Sequence, residues 1–396
     1  MKDYKSNSWK EISLGDCVSF QTGKLNSNAA RADGAYPFFT CSQETFRINT
    51  FSFDCECVLL AGNNANGIYP LKFFNGKFDA YQRTYVIRST DTQSLDNRFL
   101  YYALRLQLEL MRSISTGAAT KFLTLTILKD IRLRKPSIEI QRCIAAILSA
   151  YDGLIENNAR RIKILEQMSQ MIYREWFANF RFPGHEKVKL ESQKGTKVPS
   201  GWQVKRLFDI AEVTYGFPFQ SKLFTEGGVG IPVVRIRDIL ASTTNTFTTE
   251  SADEKYLLRN GDLLVGMDGD FHMGKWSGGK TFLNQRVVRF RPKGSLPPYY
   301  LFLALCEPIE HFDSTIVGTT VAHLSDRDLR SIEVLIPDAA TLERAASILN
   351  PCFGMEINLS LQNFNLRKTR DSLLPKLVSG EISVEHLGTE AASQIS

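Results

Sequence analysis

Two stretches of this chain place apolar side chains at alternating intervals of three and four residues. The first takes in Ile144, Leu148, Tyr151, Ile155, Asn158, Ile162, Leu165, Ser169, Ile172 and Trp176, eight of which are apolar. The second takes in Ala345, Leu349, Cys352, Glu356, Leu359, Asn363, Leu366, Arg370, Leu373 and Leu377, seven of which are apolar. Such spacing is the seam of a long helix that pairs with another helix. Residues 140–179 contain no Pro and a single Gly, so nothing in the first stretch interrupts it. Pro351 predicts a kink near the start of the second. An amphipathic helix of this length needs cover for its stripe. The simplest cover is the other copy, laid antiparallel. One helix lies mid-chain and the other near its end, so that pairing would make the molecule pseudo-circular. The alternative packs each helix onto its own domain.

Outside these helices the period changes. Val58-Leu59-Leu60-Ala61 and Tyr85-Val86-Ile87 are β-rich runs. Gly62–Gly67 between them carries a strong turn signal. Asn97–Met111 has helical spacing, Ser115–Thr120 is a Gly-containing loop, and Ile131-Arg132-Leu133 is a strand that stops at Pro136. The same order recurs about 200 residues later: strands to Phe290, a helix near Tyr299–Phe312, a loop at Val317–Ala322, and a strand at Ile332–Ile336 before Pro337. Matched landmarks include Trp9 with Trp202, Leu14-x-Asp16 with Leu207-x-Asp209, and Gly23 with Gly216. Further on, Tyr36–Phe39 matches Ile231–Val234, and Val58–Gly62 matches Asp262–Gly266. Gln82-Arg83 matches Gln285-Arg286, and Gly117 with Leu123 matches Gly318 with Leu324. Internal repetition constrains architecture before any single residue does. It predicts an α+β fold: two similar strand-rich domains separated by a long antiparallel two-helix coiled coil in a pseudo-two-fold, circular arrangement. The expected divisions are residues 1–140, the helix 141–180, residues 181–340, the helix 341–380 and a tail 381–396. Arg181–Ser200 is a polar linker around Pro183-Gly184.

A chain of 396 residues with 43% hydrophobic and 23% charged content can bury an ordinary core in each of two domains. No run of about 18 apolar residues and no apolar leader is present, which predicts a cytoplasmic protein without a membrane span. The seven cysteines match no zinc or disulfide framework and read as reduced thiols. Residues 1–149 hold 19 basic against 13 acidic side chains, and residues 181–349 hold 21 against 20. The excess is compatible with nucleic acid without establishing it.

Catalytic motifs are missing. There is no P-loop, HExxH or GxSxG, and the five histidines lack ligand spacing. Asp262, Asp268 and Asp270 near His272 read as turn residues rather than metal ligands. Leu296-Pro297-Pro298-Tyr299 matches the Asp/Asn-Pro-Pro-aromatic motif of amino-group methyltransferases except at its essential first position, so it reads as a helix start. What remains is a set of loop side chains suited to base edges and phosphates, Asn to adenine and Arg to guanine. In the first domain these are Lys24, Asn63, Asn64, Asn66, Arg83, Thr116, Gly117, Thr120 and Lys121. In the second they are Arg235, Arg237, Lys275, Arg286, Gly318, Thr319, Thr320 and His323. The glycines would let backbone approach phosphate. The recurrence of Arg83 and Arg286 fits a shared structural ion pair equally well.

Val198-Pro199-Ser200-Gly201-Trp202, Ile231-Pro232-Val233-Val234-Arg235, the Gly318-Thr319-Thr320 loop and the tail Leu373–Ile382 resemble the specificity subunit of type I restriction–modification systems. With the duplicated strand-rich unit and its long helix, the resemblance covers nearly the whole chain. The first unit departs at its entry, Asn7-Ser8-Trp9. The resemblance implies two target-recognition domains, each reading half of a split, asymmetric double-stranded DNA site, with the helices fixing the unread spacer. It implies two methyltransferase subunits carrying S-adenosylmethionine and adenine-N6 chemistry, two motor–nuclease subunits using ATP and Mg, and no catalytic residue or bound cofactor in this chain. A methylation-only complex with the same plan, and a coiled-coil scaffold that binds proteins, are the alternatives.

Overall fold

The computed structural model describes residues 9–63, 69–114, 123–193, 195–315 and 322–384. The chain divides into two compact units, residues 1–153 with 367–396, and residues 154–366. The first unit is therefore built from both ends of the chain.

In the first unit the strand order is 18–22, 84–89, 53–61, 71–80, 36–39, 46–48 in one mixed sheet. Residues 53–61 and 71–80 form a long antiparallel hairpin, while Phe38-Phe39 runs parallel to Asp79-Ala80. Side chains alternate across a strand, so the sheet has two buried faces. Val58, Leu60 and Ile87 face the helix Asn97–Ile114 through Phe99, Leu100 and Ala103. Cys57, Leu59, Phe78 and Val86 form a second core with Phe39. Asp96 starts the helix: its carboxylate accepts from the Arg98 and Phe99 N–H groups at 2.9 and 2.8 Å, satisfying donors that a helix end leaves open. A short ladder pairs the entry strand Lys10–Ser13 with the exit strand Arg132–Lys135.

The second unit repeats this plan with one break. The single strand 71–80 becomes two pieces, Met273–Lys275 and Thr281–Leu283, separated by Trp276–Lys280. The sheet divides accordingly into a four-stranded and a five-stranded piece. The entry–exit ladder recurs between Gln203–Arg206 and Glu333–Ile336. The helix Pro298–Thr315 begins at its proline, a position where the missing N–H has no intrahelical role. Gly23 and Gly216 are twins for a steric reason: a Cβ would lie 1.7 Å from Ala80 O in one unit and 2.0 Å from Asn284 O in the other.

One match between the repeats shifts. The landmark letters align Gly62 with Gly266, but the ladder aligns Gly62 with Met267. With Arg83 matched to Arg286, Ala61 opposite Thr84 corresponds to Gly266 opposite Val287. Burial agrees, since Leu263 and Val265 take the core-facing places of Val58 and Leu60. A one-residue slip exchanges the faces of a strand. Both faces are buried here, so hydrophobicity alone does not reveal it.

The long helices run Ile138–Tyr173, followed by a π-turn at Arg174–Ala178, and Ala339–Val378. The second stays helical through Pro351. Within each unit their segments pair antiparallel. In the first, Asp152 ion-pairs with Arg370 and accepts from Tyr102 Oη at 2.6 Å, while Arg105 donates to Asp371 at 2.9 Å. In the second, Asn363 Nδ2 donates to Ile155 O at 3.2 Å and Asn158 Nδ2 lies 3.5 Å from Gln362 Oε1. Ile144, Leu148, Leu349, Leu359 and Leu377 are buried. Tyr151, Ile155, Ile162, Leu165, Ile172, Trp176, Leu366 and Leu373 are half-buried. Four of the five polar positions in the seam, Asn158, Ser169, Glu356 and Asn363, are buried, and the fifth, Arg370, is half-buried against Asp152.

Candidate DNA interface

The two units build one loop edge with the same backbone bonds. In the first, Gln82 N–H donates to Leu25 O (3.0 Å), Gly62 N–H to Arg83 O (2.8 Å) and Leu123 N–H to Gly62 O (3.0 Å). In the second, Gln285 N–H donates to Phe217 O (3.0 Å), Met267 N–H to Arg286 O (2.9 Å) and Leu324 N–H to Met267 O (2.8 Å). These bonds tie four separate segments into one rim, where loop side chains project from a rigid sheet.

Of the residues the sequence nominates, Lys24, Asn63 and Arg83 sit on this rim in the first unit, with Lys24 and Arg83 exposed. Asn64, Asn66, Thr116, Gly117, Thr120 and Lys121 lie outside the described residues. In the second unit Arg286 and His323 converge on Asp268. Arg286 Nη1 is 3.0 Å from Asp268 Oδ2, and His323 Nδ1 is 2.6 Å from Asp268 Oδ1. Arg235 follows the strand Ile231–Val234 and is half-buried, whereas Arg237 is exposed. Both flank Asp238, whose carboxylate accepts from Arg235 N–H at 3.0 Å. Burial pushes that carboxyl up, against the hydrogen bond from Thr244 and the charge of Arg237. Gly318, Thr319 and Thr320 lie outside the described residues.

Lys275 is a correction. Its side chain is 10% exposed and its ammonium lies 2.5 Å from Glu356 and 3.2 Å from Glu166. It also stands over the rings of Tyr299 and Phe302 at 4.8 and 4.5 Å. A cation so enclosed neutralises the helix carboxylates rather than reaching a phosphate. Other cations of the second unit are likewise committed. Arg289 is fully buried against Glu212 and Thr214, and Arg291 makes a two-pronged contact with Asp262 at 2.6 and 2.7 Å. Asp262 thereby belongs to an internal ion pair, apart from the Asp268 rim. Counting charges along the chain could not reveal this, because the count does not separate paired from free cations.

A model described as "Type I restriction modification DNA specificity domain" matches residues 6–167 and again residues 199–362. The chain belongs to this type I specificity family. The duplicated match coincides with the duplicated rim, and the chain is a type I specificity subunit with two target-recognition domains. Among relatives, it is 29% identical over 307 residues to the MjaIX specificity subunit of Methanocaldococcus jannaschii, covering 74% of this chain and 70% of that one. It is 32% identical over 224 residues to the EcoDI specificity subunit of Escherichia coli, covering 52% and 49%. A crystal structure of a type I S subunit from M. genitalium shares the fold, with a TM-score of 0.61 at 17% identity over 95% of this chain and 98% of that one.

Two features of this specificity subunit stand out only in the folded chain. Asp268, which the sequence presents as turn geometry, gathers Arg286 and His323. Ile164, Met168 and Met171 are 54%, 41% and 62% exposed on the central helix. Their spacing was available as a signal, being a second apolar stripe beside the seam. No helix among the described residues is long and apolar enough to cross a membrane.

Proposed function

We propose that each target-recognition domain reads one half of a bipartite, asymmetric site in double-stranded DNA, and that the paired helices set the length of the unread spacer. The chain itself is non-catalytic. It directs adenine-N6 methylation and cleavage by two methyltransferase subunits and two motor–nuclease subunits. S-adenosylmethionine and ATP with Mg are bound by those partners, and the complex acts in the cytoplasm. The target adenine would be turned out of the helix into a partner's pocket, since its amino group cannot be attacked within a stacked duplex.

The observation that carries this reading is the rim made twice. The same backbone bonds hold a shared arginine, Arg83 or Arg286, beside different neighbours: Asn63 in one domain, Asp268 and His323 in the other. One scaffold with two sets of side chains suits two different half-sites. The exposed stripe Ile164, Met168 and Met171 suits a helix of a methyltransferase subunit, because an amphipathic helix docks through side chains at such spacing. The test is a genome-wide map of N6-methyladenine in cells with and without the gene. Loss of methylation at one split, asymmetric motif is expected. An unchanged map in cells that express the methyltransferase partner would refute the reading.

A further inference from the structure

We infer that Asp268 is a positioning residue for DNA recognition by the second domain, holding Arg286 and His323 as one reading unit; this rests on the interface proposed above. Its carboxylate is 23% exposed and makes two contacts from its two oxygens, with Arg286 at 3.0 Å and His323 at 2.6 Å. The backbone clamps the same three residues. Asp268 and His323 form an isolated antiparallel bridge, and Met267, which precedes Asp268, donates to Arg286 O at 2.9 Å. Arg286 and His323 keep 56% and 50% of their side-chain surface open. They are thus anchored on one side and available on the other, which is the condition for a base- or phosphate-facing donor. A free Arg samples many rotamers, whereas one held by a carboxylate loses less freedom when it binds.

The first domain supplies the contrast. By the shared bond from Gly62 and Met267, the place of Asp268 is taken by Asn63. Arg83, the counterpart of Arg286, is exposed and has no carboxylate partner among the described residues. The two rims therefore differ in how their arginine is held, not only in which residues surround it. A carboxylate at the rim also repels phosphate. Its placement beneath the half-exposed Arg286 guanidinium sets a positive group over it, towards the side on which DNA would lie.

The experiment uses the full chain assembled with its methyltransferase subunits and a DNA library randomised at the target motif. Methylation is read by sequencing for wild type, Asp268→Asn, Arg286→Ala, the Arg286→Ala/His323→Ala variant and that variant with Asp268→Asn added. Arg286→Ala should lower discrimination at one position of one half-site, roughly ten-fold, the size of losing one good base contact. Asp268→Asn should lower it at the same position, leave the other half-site unchanged, and have no further effect in the Arg286→Ala/His323→Ala background. An unchanged motif for Asp268→Asn, or an effect that persists in the Arg286→Ala/His323→Ala background, would overturn the positioning role while the interface stands. If Arg286→Ala also leaves motif and affinity unchanged, the interface reading fails with it. Asn63→Asp is the converse arm and should alter only the first domain's half-site.

Discussion

Lys275 offers the sharpest division between the sequence pattern and the packed structure. As a loop cation it would touch DNA; as placed, it neutralises Glu356, whose side chain is 4% exposed. Replacing Lys275 with Met keeps much of the aliphatic stem and removes the charge. Glu356 is then a buried carboxylate without its cation, a loss worth about 3–5 kcal/mol. Protonation limits the penalty, because forcing a carboxyl with an ordinary pKa of about 4.3 to carry a proton at pH 7 costs about 3.7 kcal/mol. A net loss of about 3 kcal/mol lowers Tm by roughly 6–12 °C for a unit of this size. Removing Glu356 as well, in Lys275→Met with Glu356→Leu, should recover most of it, since the stranded charge is gone. The pH dependence has a definite sign. Burial already raises the Glu356 carboxyl, although Lys275 lowers it. Without Lys275 it rises further, so the folded state holds a proton that the unfolded state releases. The variant should gain stability relative to wild type as pH falls from 8 towards 5. Thermal unfolding across that range, with DNA affinity against salt, makes the assay. A variant that melts with wild type while its salt slope drops by about one would refute the placement, because that is the signature of a lost phosphate contact.

Three further outcomes are expected. Inserting four residues into each long helix lengthens the pair by ~6 Å, so the spacer in the methylated motif should grow by about one or two base pairs with both half-sites kept; an altered half-site at unchanged spacer would contradict the ruler. Asp338→Ala should lower stability by about 1–2 kcal/mol by calorimetry, since Asp338 accepts from Thr341 N–H and Oγ1 at 3.0 and 2.7 Å and from Trp202 Nε1 at 3.2 Å. Burial opposes its charge, but these hydrogen bonds win and hold its carboxyl below the usual range, so its contribution is present at neutral pH and lost as pH falls below the ordinary aspartate value. Changing Ile164, Met168 and Met171 together to Ser should weaken methyltransferase association roughly ten-fold by titration while lowering Tm by only a few degrees, because about half of each side chain is already exposed.

Some of this was written in the order of residues alone. The repeat, the two long helices and their shared need for cover follow from local periodicity, and periodicity depends only on neighbours in the chain. Gly23 and Gly216 could be matched as letters, and the structure adds that each lies against a backbone oxygen where no Cβ fits. The register of the repeat was less legible. A Gly at 62 and a Gly at 266 invited a pairing that the ladder moves by one residue, since strand alignment is a property of partners and both faces of that strand are buried.

Tertiary structure alone decided which polar residues are free. Lys275, Arg289 and Arg291 are basic letters like any others, yet each is answered by a carboxylate far away in sequence: Glu356, Glu212 and Asp262. Arg286 and His323 are separated in the chain and gathered by Asp268 only when three segments close on one rim. Asn158, Ser169, Glu356 and Asn363 look like gaps in an apolar seam and are buried within it. Periodicity reports which face of an element is turned inward, because that depends on the element's own geometry. The partner a charge meets depends on contacts between distant segments, and no local pattern encodes those.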